Sequence, residues 1–173
     1  MTPRRKRNVR KGRIWLTAYP PDHAAAARRS GYYVEAIQIL HGWIEVKLQE
    51  WLLLSRHHNI RGSFDAVWES AFGMPLLQVA KALFVTGKMN KTTFDAVCRF
   101  NAMRNRVIHK LFQQKYDTPG PSISVSEYSA AFEYGIRLSN RLEGQLARLA
   151  TRGKVGRGKF QNNVAAKRDN RDA

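Results

Sequence analysis

Arg104 and His109 stand five residues apart, with the amide of Asn105 between them, in the stretch Phe100-Asn101-Ala102-Met103-Arg104-Asn105-Arg106-Val107-Ile108-His109. These residue types suit cleavage of RNA by its own 2′-hydroxyl, which attacks the neighbouring phosphate. That reaction needs a base for the hydroxyl, an acid for the departing 5′-oxygen and a cation for the charged intermediate, and it needs no metal. An imidazole with a pKa of about 6.5 serves as base or acid at neutral pH, and a guanidinium grips phosphate through a two-pronged fork of donors. Asn105 would orient the imidazole or a phosphate oxygen. One imidazole cannot easily do both proton transfers in a turnover. A two-fold homodimer joining two such helices would supply two His109 and two Arg104. Arg106 and Lys110 add cations for the phosphate backbone.

The segment that must present these groups reads as a helix. At roughly 100° per residue, Phe94, Val97, Phe100, Ile108 and Leu111 share one arc, and Arg104 falls near its middle. Asn105 and His109, four apart, project from the flank of that arc. The structural alternative is a salt bridge from Arg104 to a carboxylate on a neighbouring helix, with His109 a hydrogen-bonded histidine at a helix edge. The spacing alone leaves both readings open.

Around this segment the chain reads as helices throughout. Asp22 is a cap for a helix from His23, which restarts near Gly31. Ile37, Leu40, Ile44, Leu48 and Trp51 mark a long helix ending near His58-Asn59. Ser63 opens a short piece through Trp68 that stops at Gly73. Leu76 to Val85 follow Pro75 and run until Gly87. Thr92-Thr93-Phe94-Asp95 offers a capping box for the motif helix, with Asn90 as the alternative cap, and that helix ends before Pro119-Gly120-Pro121. Ser124-Val125-Ser126-Glu127 is a second capping box, ahead of Tyr128, Phe132, Ile136, Leu142, Leu146 and Leu149. The expectation is an all-α bundle of four or five helices over 14–150, with disordered basic arms at 1–13 and 151–173.

Charge supports a polyanionic partner. Of the net +17, the first 13 residues contribute seven basic groups (Arg4, Arg5, Lys6, Arg7, Arg10, Lys11, Arg13) and no acid. Residues 151–173 add seven basic and two acidic groups, leaving the body only mildly basic. Such arms bind phosphates through counterion release, so RNA is the expected partner. Cys98 is alone, which rules out an intrachain disulfide or a cysteine zinc cage, and its apolar setting marks a packing residue. Adjacent His57 and His58 point apart on a helix and have no third ligand, so neither a metal nor a cofactor is expected. Trp43, Trp51 and Trp68 read as core, whereas Trp15, beside the basic arm, suits base stacking. No apolar run approaches membrane-spanning length, and a soluble, cytoplasmic protein is expected.

The run from Ala82 to Met89, then Phe94 and Phe100 through His109, resembles the HEPN superfamily, whose signature is Arg, a polar residue, three more residues and His on a late helix. Arg104, Asn105 and His109 match those positions, over some 30 residues of specific likeness. The resemblance implies a small helical bundle acting as a homodimeric, metal-independent endoribonuclease, commonly a toxin or a defence or stress effector. Some relatives are non-catalytic and resemble regulators, so two other readings stand beside it: a nucleic-acid-binding or regulatory module on the same bundle, and a helical interaction subunit, one half of a toxin and antitoxin pair, whose arms bind an acidic partner such as an antitoxin or regulatory protein. The family's additional acidic or polar residue on another helix has three candidates, Glu35, Glu45 and Glu69.

Overall fold

The structure, a computed structural model, describes residues 9–10, 13–14, 18–56, 69–112 and 123–169, with side chains over 18–55, 69–112 and 123–151. Outside the described residues lie Arg4, Arg5, Lys6, Arg7, Lys11, Trp15, His57-His58, the piece from Ser63 through Trp68, and Pro119-Gly120-Pro121. The chain is an all-α bundle: α1 (Pro20–Arg29), α2 (Tyr33–Arg56), α3 (Leu76–Val85), α4 (Lys91–Phe112) and α5 (Val125–Asp169), with a further helical turn at 69–72 ahead of Gly73.

Parts of the two basic arms carry described backbone. Val9–Arg10 (β1) and Arg13–Ile14 (β2) form a minimal antiparallel ladder, with Arg10 opposite Arg13. The backbone groups of these residues satisfy one another locally, which needs no apolar pattern. At the other end the α5 backbone continues to Asp169. Once a helix is nucleated, each further residue adds one hydrogen bond at little cost, so the glycines at 153, 156 and 158 weaken the extension without stopping it.

Helix ends follow local chemistry, with two corrections. Asp22 does not cap α1: Tyr19 occupies the N-cap, Pro20 and Pro21 fill the first turn where no N–H is needed, and Asp22 sits within that turn against the positive end of the dipole. Thr92 does not cap α4: the Asn90 Oδ1 accepts from the Thr93 N–H at 2.9 Å. At α5 the Ser124 Oγ accepts from the Glu127 N–H at 3.1 Å, half of the expected box, because the Glu127 carboxylate is engaged by cations of α4. Helices α1 and α3 both end in Schellman turns. Gly31 and Gly87 take the left-handed conformation (φ 83° and 66°), the Tyr32 N–H reaches the Ala27 carbonyl, and the Lys88 N–H reaches that of Leu83.

The core forms around α2. Ile37, Leu40, Ile44 and Leu48 are fully buried on its inner stripe, facing Val97, Phe100 and Val107 of α4 and Phe132, Leu138 and Leu142 of α5. Gly135 lets α5 come close. A Cβ there would lie 2.6 Å from the Phe100 Cε2 and 3.2 Å from the Leu40 Cδ1. This three-helix contact fixes how α4 lies on α2, one turn from Arg104.

Candidate functional site

Arg104 leaves the apolar arc of α4 and crosses to α2. Its Nε donates to the Gln38 Oε1 at 3.2 Å, its Nη2 donates to the same oxygen, and its Nη1 donates to the Asn105 Oδ1 at 2.8 Å. Both acceptors are neutral amide oxygens. The salt bridge to a neighbouring carboxylate, the structural alternative, does not form among the described residues. A half-buried guanidinium satisfied by amides keeps its full positive charge, so its field is open to an added anion.

One turn along the same seam lies a group that sequence reasoning passed over. His41 follows Gln38 by three residues on α2, and Asn101 precedes Arg104 by three on α4, so the two helices run antiparallel here and bring His41 to Asn101. Burial pushes the His41 imidazole below its ordinary value, and the Arg104 guanidinium pushes it further. Glu45 and the hydrogen bond with Asn101 act in the opposite direction. The imidazole is therefore neutral at pH 7. The only signal available beforehand was a set of polar residues flanking the apolar stripe of α2.

Glu45, one of three candidate acids, is the one beside this cluster. Its Oε2 accepts from the Leu76 N–H at 2.7 Å, closing the start of α3. Glu35 and Glu69 are exposed elsewhere.

The expected convergence of Arg104, Asn105 and His109 is met in part. Arg104 and Asn105 are bonded to each other, whereas His109 stands exposed on α4 with no hydrogen bond or ion pair among the described residues. Five residues turn a helix by about 140° net, which separates the two side chains within one protomer. The two flanking cations are not free. The Arg106 Nε meets the Glu127 Oε1 at 2.5 Å, and the Lys110 Nζ meets the Glu127 Oε2 at 2.9 Å. Lys110, and behind it Arg106, hold the Glu127 carboxyl below its ordinary range. Arg10 and Arg13 lie in the terminal ladder.

Other candidates resolve as packing. The Cys98 thiol is half-buried and pushed up, by burial first and then by Asp95, so it stays protonated and a poor nucleophile. Trp51 is buried. Trp43 is half-buried rather than core: its indole N–H donates to the Glu143 Oε1 at 2.8 Å and Lys47 lies 4.0 Å over its ring. Among the described residues there is no group of three or more metal-ligating side chains, and no helix is long and apolar enough to cross a membrane. Comparison with known protein families, curated proteins and solved structures finds no match.

Proposed function

We propose that the chain binds RNA and cleaves it without a metal, as its resemblance to HEPN domains implies. Arg104 holds the scissile phosphate, Asn105 and Gln38 aim its guanidinium, and His109 transfers protons. A homodimer with the α4 helices apposed supplies the second His109. The observation that carries this reading is the Arg104 charge, half-buried yet bonded only to amide oxygens, where a structural arginine would be expected to have a carboxylate. Such a nuclease suits a toxin or a defence or stress effector restrained by an antitoxin or regulatory protein.

Incubation of purified protein with RNA in chelator provides the test. The expected products carry a 2′,3′-cyclic phosphate and a 5′-hydroxyl, and Arg104→Ala and His109→Ala each abolish cutting without loss of helical circular dichroism. Light scattering is expected to show a dimer at micromolar concentration. Full activity in both variants would remove the site from consideration. The separation of His109 from Arg104 within one protomer favours a second reading, RNA binding without chemistry. That reading is selected if RNA binds, Arg104→Ala weakens binding and no product forms.

A further inference from the structure

We propose that the groove between α1 and the starts of α2 and α5 is a stacking site for one unpaired base of a bound RNA strand, with Arg28 and Arg29 taking the adjoining phosphate. This inference rests on the RNA-binding half of the reading above and concerns residues outside the Arg104 seam.

Two cavities meet there. The smaller, of about 160 Å³, is lined by Tyr33, Leu111, Val125 and Tyr128, and the larger, of about 370 Å³, by Arg28, Arg29, Tyr33, Val125 and Phe132. They share Tyr33 and Val125, so they form one groove around the Tyr33 ring. Tyr33 is 43% exposed and its neighbour Tyr32 is 62% exposed. The Schellman turn at Gly31 puts them there.

Tyr33 is braced by Tyr128. Tyr128 meets it edge-on with centroids 4.8 Å apart, and the Tyr128 hydroxyl donates to the Tyr33 carbonyl at 3.0 Å. Burial pushes that hydroxyl up to about 12, so it remains a donor at any physiological pH. A partly exposed ring braced in this way gives a base somewhere to stack with little ordering of the protein.

The larger half of the groove carries the charge. Arg28 lies over the Phe132 ring at 4.9 Å, donates to the Ser129 Oγ at 2.9 Å and reaches Glu133 only at 3.9 Å. Arg29 is exposed and makes no ion pair among the described residues. An apolar peptide would have to desolvate these guanidiniums, and a bare phosphate would leave the tyrosines unused. A nucleotide of a single strand satisfies both.

Anisotropy of a fluorescein-labelled 2′-O-methyl oligoadenylate, which cannot be cut, reads the site independently of chemistry. Tyr33→Leu keeps an apolar side chain against Tyr128 but removes the stacking face. It is expected to weaken binding about tenfold at unchanged salt slope, with no effect on an abasic 2′-O-methyl strand. Arg29→Ala is expected to lower the salt slope by about one phosphate contact on both strands. Unchanged binding by Tyr33→Leu, or equal losses on the base-bearing and abasic strands, overturns the proposal. So does an unchanged slope for Arg29→Ala, whose exposed position keeps that arm decisive if Tyr33→Leu misfolds. Binding through Tyr33 by a protein that never cuts RNA would sink the cleavage reading alone. Cutting that needs Arg104 and His109 while Tyr33→Leu binds normally would sink this inference alone.

Discussion

A single methyl added at Gly135 probes the contact that sets α4 against α2 and α5. In Gly135→Ala the new Cβ would stand 2.6 Å from the Phe100 Cε2 and 3.2 Å from the Leu40 Cδ1. Carbon atoms do not approach to 2.6 Å, and Phe100 and Leu40 are both fully buried, so neither can swing into solvent. Overpacking costs about 1–3 kcal/mol in general, and an approach this short between fully buried side chains puts this one in the upper part of that range, about 2–3 kcal/mol. Alanine returns about 1 kcal/mol through helix propensity, which leaves a net destabilisation of about 1–2 kcal/mol. For a domain of this size that lowers Tm by roughly 2–8 °C. Urea denaturation monitored by circular dichroism measures the loss. The double variant Gly135→Ala/Phe100→Leu makes room for the methyl, so its cost is expected to fall below the sum of the single variants by about 0.5 kcal/mol or more. A neutral or stabilising Gly135→Ala, or strict additivity in the cycle, would refute the close three-helix contact and with it the register that brings Arg104 to Gln38.

Two further outcomes bear on the electrostatics. Burial and Arg104 hold His41 below its ordinary value, so between that lowered value and about 6.5 the unfolded chain binds the proton and the folded chain does not. Stability is therefore expected to fall as the pH drops through this window, despite the opposing pull of Glu45, and His41→Gln is expected to flatten that limb in urea melts at pH 5 and 7.5. If His41→Gln leaves the pH dependence unchanged, His41 is not held neutral in the fold. Glu127→Gln frees Arg106 and Lys110 and is expected to tighten RNA binding severalfold at low salt, with the gain disappearing at high salt. Weaker binding by that variant would show that the two cations do not face the strand.

Periodicity and end signals are local, and they carried the bundle. The apolar spacing of Ile37, Leu40, Ile44 and Leu48 specifies a helix with one buried stripe whatever it packs on, and Gly31 and Gly87 mark helix ends because a left-handed residue is needed there. The Arg104–Asn105 pair was legible for the same reason, being adjacent on one helix. What Arg104 meets across the seam was not legible. Gln38 lies 66 residues away, and which turn of α2 it offers depends on a crossing set by Phe100, Leu40 and the missing side chain of Gly135. The same geometry brought His41 beside Asn101 and left His109 exposed, an outcome that helical spacing on either segment could not show. Even a cap can depend on the fold: Asn90 and Thr92 were both competent for α4, and the path of the chain out of α3 put Asn90 at the boundary. Local signals fixed which residues form helices and which faces are apolar, because those follow from backbone geometry and burial within a few turns. Tertiary packing alone decided which polar groups share a site, because side chains on different helices meet only where the buried surfaces between them interlock.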